Sequence, residues 1–281
     1  MFETTPPDYL RELQLLYNRA TPKEYDPEHD YASRRLADLL ALSRASPTAR
    51  ILDLGCGTGF AGIVLTKDHP ERYYEGIDLA HRSIQIANRL RQDYGLAGQT
   101  RFVFQDVADV RRDLETYDLI LCSSALPLFE SWRQILQRAH DWLRPGGEFL
   151  CSTYETNSFF NPQIKASVRE VLGCELPDVK EVLATPELVK QTLSEVGFRE
   201  VEVQAKSYDR LRDTSAVSWD GTWIHPENPL RGISEHDKLL LRTAFEKAVA
   251  ALALKQALEK QVPDDTKVRE LRRHLYTRAV K

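Results

Sequence analysis

The short segment from Ile51 to Gly62 carries the residue pattern of this chain that is best suited to hold a ligand. Its apolar start predicts a β-strand, and Gly55, Gly57 and Gly59 follow at alternate positions before apolar residues that predict a helix. Glycine adopts backbone angles closed to other residues and lets a ligand approach the main chain without meeting a Cβ. The amides that open the following helix can also receive an anionic group. The segment therefore predicts a ligand-binding strand, turn and helix.

The acid before the glycines indicates the kind of ligand. Residues 57–62 also fit the dinucleotide pattern G-x-G-x-x-G, which alone is weak evidence. Asp53, two residues before the first glycine, would repel a pyrophosphate but attract an ammonium group, so a ligand with an amino-acid head fits better than NAD. The run from Asp53 to Gly59 resembles the first motif of the class I S-adenosylmethionine (SAM) methyltransferases, which is an acid, one residue and then G-x-G-x-G.

The same resemblance continues along the chain. A second predicted strand ends in Asp78, at the spacing where Rossmann-like folds place a ribose-binding carboxylate. A third ends in Asp106, at the position that the family uses to accept a hydrogen bond from the adenine amino group. Residues 117–124 and 143–150 resemble the fourth strand and the turn into the fifth. The resemblance implies a SAM site that contains Asp53, Gly55, Cys56, Gly57, Gly59, Asp78, Leu79, Asp106, Val107 and Ser123.

The alternation of predicted strands and helices from Ile51 to Thr153 indicates an α/β fold with a parallel, doubly wound sheet and right-handed crossovers. Ligands of such sheets lie at the carboxyl ends of the strands, where the acids described above converge. The family resemblance implies seven strands in a Rossmann-like sheet, with an antiparallel last strand and a helical cap. Residues 201–205 and 274–280 are the predicted final pair of strands.

Three parts of the chain are predicted to form separate structural regions. Residues 1–45 are predicted as an N-terminal helical arm, and residues 46–205 with 271–281 as the SAM-binding core. Residues 206–270 are predicted as a helical lid inserted before the last strand. Ser234 begins a capping-box-like pattern that opens the long helix of this lid.

Four aromatic residues are the candidates for contact with the methyl acceptor. In related methyltransferases the N-terminal arm lies over the cofactor, so the resemblance implies that Tyr25 could contact the sulfonium or the substrate. Phe160 lies in a polar and aromatic stretch after the fifth strand that could be part of a substrate lid. Trp219 and Trp223 lie in a polar, proline-broken stretch, where large rings are more useful over a pocket than in a core. The alternative is that these rings only pack the arm and the lid. His225 and Tyr154 are the candidate general bases if the acceptor is a hydroxyl or an acidic carbon, whereas a carboxylate acceptor needs no base.

Methyl transfer from SAM requires few catalytic groups on the enzyme. An in-line displacement at the methyl carbon needs chiefly alignment of the nucleophile, and the segment after the fourth strand lacks the N-P-P-Y pattern of amino methylases. We therefore expect a SAM-dependent methyltransferase acting on a small molecule, with O- or carboxyl-methylation favoured and C- or N-methylation open. The lid resembles in placement those of trans-aconitate and malonyl-carrier-protein methyltransferases, so the acceptor could be carrier-bound. A non-catalytic SAM-binding regulator or partner subunit is the alternative, and an NAD-type oxidoreductase is less favoured.

Bulk composition excludes several other classes of protein. The 281 residues, 42% of them hydrophobic, can form a large core, and a formal charge of −4 with a pI near 6.0 gives no attraction to phosphate backbones. We expect no nucleic-acid partner. The start does not resemble a signal peptide and no apolar run reaches about 18 residues, so we expect a cytoplasmic protein without membrane contact. The four cysteines form no C-x-x-C pair and the histidines are scattered, so no metal is expected; a monomer and a homodimer both stay open.

Overall fold

The computed structural model describes residues 30–156, 158, 160–175, 183–217 and 233–281. Within these residues one sheet contains seven strands. They are β1 (Arg50–Leu54), β2 (Tyr73–Asp78), β3 (Thr100–Phe104), β4 (Tyr117–Ser123), β5 (Leu143–Tyr154), β6 (Arg199–Asp213) and β7 (Lys267–Val280).

Seven α-helices lie in the described part of the chain, together with three short 3-10 helices. The α-helices are α1 (Asp30–Leu40), α2 (Phe60–Thr66), α3 (His81–Asp93), α4 (Trp132–Trp142), α5 (Asn161–Leu172), α6 (Pro186–Val196) and α7 (Glu235–Leu258). The 3-10 helices are Val107–Asp109, Leu126–Leu128 and Thr214–Ala216.

The strands are ordered β3-β2-β1-β4-β5-β7-β6 in the sheet. The pairs β1–β2, β1–β4, β2–β3 and β4–β5 are parallel. The last strands are antiparallel, and helices cover both sides of the sheet. The predicted fold class is therefore confirmed. The order reverses between β1 and β4, and this switch point is where open α/β sheets bind their ligands.

Apolar residues without polar alternation form the central strands. Ile51, Leu52 and Leu54 of β1 and Ile120 of β4 are all fully buried. A parallel strand covered by helices on both faces buries every side chain, which is why such strands are continuous apolar runs. This packing fixes the ends of β1 and β4 next to each other.

Helix ends agree with the capping residues read from the sequence. The Thr185 side chain accepts a hydrogen bond from the Leu188 amide at 3.2 Å, and α6 ends at Gly197 with φ 111°. At α7 the Ser234 hydroxyl oxygen accepts from the Asp237 amide at 3.1 Å. The predicted helix start at Ser234 is confirmed, and Thr185 caps α6 in the same way.

Helix α1 ends at Leu40, five residues before the end of the predicted N-terminal arm. Hydrogen bonds to a residue distant in the sequence account for this helix end. The Arg44 amide and the Ser43 hydroxyl donate to the carboxylate of Glu148 at 2.9 and 3.0 Å, so this segment leaves the helical path. Arg278 of β7 donates to the same carboxylate at 2.6 Å, and Glu148 thus joins three parts of the chain.

The described residues divide into two compact units. The described part of Met1–Thr153, with Leu183–Gln204 and Leu275–Lys281, forms the first unit. The described parts of Tyr154–Val182 and Ala205–His274 form the second. Strands β6 and β7 extend well beyond the predicted residues 201–205 and 274–280. The division into arm, core and lid stays a prediction.

The second unit has an apolar core of its own. It is built mainly between α5 and α7, which pack against each other. Its buried members are Phe160, Val168, Val217, Leu241, Phe245, Val249, Ala253 and Val268. In the described part of the chain no helix has the length and apolar character needed to span a membrane.

Candidate cofactor site

The loop between β1 and α2 folds back on the end of β2. The amides of Gly55 and Cys56 both donate to the carbonyl oxygen of Ile77, at 2.8 and 3.0 Å. Gly55, Gly57 and Gly59 have φ values of 80°, 54° and 78°, in the left-handed region that favours glycine. The loop therefore has the strand, turn and helix form predicted from its glycines.

The three glycines serve different purposes. A Cβ on Gly55 would lie 2.5 Å from the Cβ of Ala125, and one on Gly59 would lie 2.6 Å from the ring of Phe102. A Cβ on Gly57 would meet no described atom within 4 Å. Gly55 and Gly59 are thus required for packing as well as backbone conformation, whereas the Cα of Gly57 faces open space that a ligand can enter.

Cys56 acts as a small packing residue in this loop. Its side chain is 8% exposed and lies so close to β2 that a Cβ on Gly76 would be 2.8 Å from its sulfur. Burial raises the pKa of the thiol well above its usual value, which opposes nucleophilic reactivity. Cys122 and Cys151 are opposite each other on β4 and β5 and are fully buried, as expected of core residues.

Asp53 is an acid buried at the end of β1, with 2% of its surface exposed. The Tyr74 hydroxyl donates to its Oδ2, and its buried Oδ1 has no hydrogen-bond partner among the described residues. Burial raises the pKa of Asp53 to about 7; the Tyr74 hydrogen bond lowers it, and the nearby charge of Asp78 raises it. A buried carboxylate oxygen without a partner is suited to a cationic ligand, because that ligand would replace the lost solvation.

Asp78 holds the glycine loop in place from the end of β2. Its two oxygens accept the amides of Gly57 at 2.8 Å and Ala80 at 2.7 Å. Burial raises the pKa of Asp78, and these backbone hydrogen bonds lower it. A carboxylate has about four lone-pair positions, so the half-buried side chain can still accept from ribose hydroxyls.

Asp106 follows β3 and caps a short helix. Its Oδ1 accepts the amide of Ala108 at 2.8 Å, and Val107 is 3% exposed. Leu79, between Asp78 and Ala80, is partly exposed. These residues, with the glycine loop, belong to the first unit and end neighbouring parallel strands. They form one edge that fits an elongated ligand.

Hydroxyl groups follow β4 on the same edge of the sheet. The Ser123 and Ser124 hydroxyls lie 3.3 and 3.2 Å from the Ser152 hydroxyl of β5. Ser124 has φ 58°, unusual for a residue with a side chain, and the Arg35 guanidinium of α1 donates to its hydroxyl. Sequence reasoning missed Arg35, Ser124 and the Tyr74 partner of Asp53. No local pattern could have found them, because each contact joins residues far apart in the sequence.

The remaining candidate residues lie elsewhere. Tyr154 ends β5, and its ring centroid is 4.7 Å from that of His274 in the second unit. Phe160 is 5% exposed and packs against Phe245, with ring centroids 6.3 Å apart, so its position favours a packing role over substrate contact. Tyr25, Trp219, Trp223 and His225 lie outside the described residues. Their proposed roles stay predictions.

Metal ligands do not cluster in the part of the chain that the structure describes. No group of three or more His, Cys, Asp and Glu side chains there is arranged to hold an ion.

The sheet order, the glycine loop and the acids at the ends of β1 and β2 and after β3 define a class I SAM-dependent methyltransferase. Residues 45–207 match a family described as a methyltransferase domain, and the chain belongs to that family. It is a SAM-dependent methyltransferase, and SAM is its cofactor. The residues present fit this cofactor, because Gly57 leaves open space beside two acids and one oxygen of Asp53 is buried without a partner.

Several relatives of known activity are O-methyltransferases. The malonyl-[acyl-carrier protein] O-methyltransferase of Paenibacillus sp. (strain JDR-2) is 26% identical over 214 residues, which are 72% of this chain and 77% of the relative. The enzyme of the same name from Bacillus cereus is 30% identical over 151 residues, 52% and 54% of the two chains. An O-methyltransferase of Aspergillus nomiae is 25% identical over 170 residues, 60% and 70% of the two chains.

Solved structures share the fold at lower identity. A Bacillus halodurans protein assigned as a methyltransferase has a TM-score of 0.57 and 16% identity, over 88% of this chain and 98% of that one. Phosphoethanolamine N-methyltransferase 2 of Haemonchus contortus, crystallised with SAM, has a TM-score of 0.59 and 16% identity, over 98% and 59% of the two chains. Identities this low establish the fold and not the acceptor.

Proposed function

We propose that this methyltransferase transfers a methyl group to a carboxylate oxygen of a small acid, either free or attached to a carrier. The observation that carries the proposal is the similarity to a malonyl-[acyl-carrier protein] O-methyltransferase over 72% of the chain. The edge of the first unit supports it, since β4 ends at Ser123 and is followed by Ser124 and a short apolar run without the N-P-P-Y pattern of amino methylases. A carboxylate is already anionic and needs no general base.

The proposed roles of the site residues follow from the geometry of the first unit. When bound, SAM supplies a methyl group on a sulfonium that a nucleophile displaces in line. Asp53 would bind the ammonium of its amino-acid part, and Asp78 would accept from the ribose. Asp106 would accept from the adenine amino group. Leu79 and Val107 would flank the adenine, and Gly55, Cys56, Gly57, Gly59 and Ser123 would shape the remaining wall.

Alignment is the main contribution that these residues would make. The acids and the loop are each held by backbone hydrogen bonds or buried packing, so the site is formed by rigid strand ends. Positioning of this kind can supply on the order of 7 kcal/mol or more of the barrier. The predicted lid, residues 206–270, would select the acceptor, because its tryptophans lie on a polar, proline-broken stretch rather than in a regular element of the core.

A hydroxyl acceptor is the second candidate, because one relative is described only as an O-methyltransferase. It would need a base, for which Tyr154 and His225 are the candidates. C- and N-methylation are the remaining alternatives that the test distinguishes.

The test uses SAM with a labelled methyl group and a panel of acceptors. The panel contains malonyl-carrier protein, free dicarboxylic acids, hydroxylated acids and amines. A labelled product that releases methanol in mild alkali is a methyl ester and supports the proposal. An alkali-stable product indicates an ether, amine or carbon acceptor and contradicts it.

A further inference from the structure

An arginine of the helix α1 reaches the end of β4. The guanidinium of Arg35 donates to the hydroxyl of Ser124, which directly follows β4. Its planar group lies over the ring of Tyr31, with 5.2 Å between the guanidinium carbon and the ring centroid. An aromatic ring that covers one face of a guanidinium fixes its plane, while the N–H groups point out from its edge. Arg35 therefore presents an oriented donor edge at this end of the sheet.

Helix α1 has other contacts that hold it against the first unit. Leu36 and Leu39 are 7% and 0% exposed, and the Arg44 amide donates to the buried Glu148 carboxylate. In proteins most of the stability of a helix comes from the packing of its apolar face. The contact of the arginine with a hydroxyl is thus not needed to dock α1, and a role in binding explains its position better.

Three hydroxyl groups near the ends of β4 and β5 lie beside this arginine. The Ser152 hydroxyl is 3.3 Å from that of Ser123 and 3.2 Å from that of Ser124. Hydroxyl pairs are usually about 2.7–2.8 Å apart, so both contacts are long. Two contacts use two of the three hydroxyl protons, which leaves one proton without an acceptor among the three groups. This cluster can therefore donate to an oxygen that accepts more strongly than a hydroxyl does.

Ser124 has a backbone conformation that favours glycine. Its φ is 58°, and its amide donates to the carbonyl oxygen of Ser152 at 3.0 Å. A residue with a Cβ is disfavoured in this conformation, and such residues occur preferentially at binding and catalytic sites. Glycine would adopt the same backbone angles without strain but would supply no hydroxyl. The side chain, and not the turn, therefore explains a serine at this position.

The cluster adjoins the glycine loop of the proposed cofactor site. A Cβ on Gly55 would lie 2.5 Å from the Cβ of Ala125, the residue after Ser124. Asp53 of β1 is in register with Leu121 of the parallel strand β4, so both strands end at the same edge of the sheet. A group held by Arg35 and Ser124 would therefore lie beside the cofactor, within the first unit.

We propose that Arg35 and Ser124 form a carboxylate-binding subsite that holds the acid group of the methyl acceptor. A guanidinium edge with a neighbouring hydroxyl matches a carboxylate, which has two acceptor oxygens and one negative charge. One oxygen accepts these hydrogen bonds, and the other keeps the lone pair that forms the C–O bond. That bond replaces the methyl–sulfonium bond, whose electron pair stays on sulfur, and no proton moves. The inference rests on the carboxylate acceptor of the proposed function.

The subsite contributes to binding of the acid and not to the rate of methyl transfer. The carboxylate loses its charge as the ester forms, so its ion pair with Arg35 is no stronger in the transition state than in the bound acid. Interactions of this kind lower KM without raising kcat. Removal of the guanidinium should therefore raise KM and should not lower kcat.

The first test measures malonate binding by calorimetry to the full chain saturated with S-adenosylhomocysteine. Uncharged malonamide is the matched ligand, and the wild type should bind malonate more tightly. Arg35→Gln should weaken malonate binding at least about tenfold, the loss expected for a hydrogen bond to a charged group, and should leave malonamide binding unchanged. Arg34→Gln is the matched control, because Arg34 is the exposed neighbour on the same helix, and should bind both ligands normally.

Two further variants separate the side-chain chemistry from the fold. Ser124→Gly suits the φ of 58°, so its free energy of unfolding should stay the same or rise while malonate binding weakens about threefold or more. Arg35→Lys keeps the charge but not the planar fork, and it should recover only part of the binding lost in Arg35→Gln. Urea unfolding measures the stability of each variant.

Three binding results would overturn the proposal. The first is a wild type that binds malonate no more tightly than malonamide. The second is an Arg35→Gln variant with lower stability but an unchanged ratio of malonate to malonamide affinity, which indicates a purely structural contact. The third is a variant that loses affinity for S-adenosylhomocysteine and not for malonate, because the carboxylate held by Arg35 would then belong to the cofactor.

Kinetics separate the subsite from the proposed function. On the acid that the wild type methylates, Arg35→Gln should raise KM at least about tenfold with kcat unchanged or higher. A lower kcat at unchanged KM contradicts the subsite. A methylated product that is stable in mild alkali, together with malonate binding that depends on Arg35, would refute the carboxylate acceptor while the carboxylate-binding subsite stands.

Discussion

Two acidic residues of the proposed cofactor site, Asp53 and Asp78, have different hydrogen-bond partners, and these affect how easily each carboxyl group ionises. Asp53 is almost fully buried with one oxygen lacking a partner, whereas both oxygens of Asp78 accept backbone amides. The first residue is therefore costly to ionise in the absence of a cation; burial also raises the pKa of the second, but its backbone hydrogen bonds oppose that shift. The two acids are expected to respond differently to pH and to substitution.

Asp53→Asn tests the effect of burial on the charge of Asp53. Because the pKa of the carboxyl is raised from 3.8 to about 7 on folding, its contribution to stability is fully present below pH 4 and is lost as the pH rises through 7. The asparagine variant should therefore gain stability relative to the wild type over this range, by at most about 4 kcal/mol. Urea unfolding at several pH values measures the difference. A difference that does not vary with pH, or one equal to that of the exposed control Asp68→Asn, contradicts the expectation.

Asp78→Ala tests the proposed ribose contact. A hydrogen bond to a charged group contributes about 1.5 kcal/mol or more, so affinity for S-adenosylhomocysteine should fall at least about tenfold. The exposed Asp93→Ala on α3 is the control and should bind normally. Isothermal titration calorimetry measures both variants. Equal affinity in the Asp78 variant would remove the ribose assignment.

At the scale of secondary-structure elements, a few contacts fix where the strand ends and loops lie. The glycine loop depends on close packing against Ala125 and Phe102, and α1 and β7 depend on the buried Glu148 carboxylate. Loss of either kind of contact should displace a whole element and lower the free energy of unfolding. A substitution that faces open space, such as one at Gly57, should instead change the affinity for the cofactor.

Gly57→Ala and Gly59→Ala separate these two effects. Both alanines would have a left-handed backbone, at a cost of about 1–2 kcal/mol. Gly59→Ala should lose about 1–3 kcal/mol more, because its Cβ would collide with Phe102 and Ala87. Gly57→Ala should keep most of its stability but bind S-adenosylhomocysteine more weakly, since its Cβ would enter the open face of the loop.

Urea unfolding and calorimetric titration distinguish these outcomes. Gly95→Ala is the matched control, because Gly95 has φ 68° and no described atom lies within 4 Å of the Cβ position. A Gly57 variant with normal cofactor affinity would show that this face does not meet the cofactor.

Arg278→Ala tests the buried junction at Glu148. Both side chains are almost fully buried, 6% and 4% exposed, so removal of the arginine leaves an uncompensated charge and should cost about 3–5 kcal/mol. Arg144→Ala breaks the more exposed ion pair with Asp118 and should cost less than about 1 kcal/mol. Urea unfolding of both variants provides the comparison. Equal losses would mean that the buried pair has no special role.

At the scale of the whole molecule, the chain consists of two compact units, each with its own buried residues. All ten residues proposed to hold SAM belong to the first unit. The core between α5 and α7 belongs to the second and contains none of them. Cofactor binding should therefore stabilise the two units unequally.

Hydrogen exchange with and without S-adenosylhomocysteine tests this expectation. At a concentration of about 100 times the dissociation constant the ligand adds about 2.7 kcal/mol to the stability of the state that binds it. Amides of β1, β2 and β4 should exchange more slowly, and those of α7 should change less. NAD is the control and should change neither unit. Protection confined to α7 would contradict the placement of the site.

The sequence by itself determined the sheet and the acids at its edge. Apolar strand runs, the alternate glycines and capping residues such as Thr185 and Ser234 are local signals, because the conformation they favour depends on neighbouring residues. The rules for crossover connections restrict the possible strand orders, although the order itself is read from the structure. Hence the fold class and the strand positions of Asp53, Asp78 and Asp106 could be predicted.

Only the tertiary structure decided what surrounds these residues. The contact of Tyr74 with Asp53, the junction at Glu148 and the burial of Phe160 each join residues distant in the sequence, and no periodic pattern specifies which side chains will meet. Local propensity sets the elements, whereas burial, charge and partners arise from long-range packing.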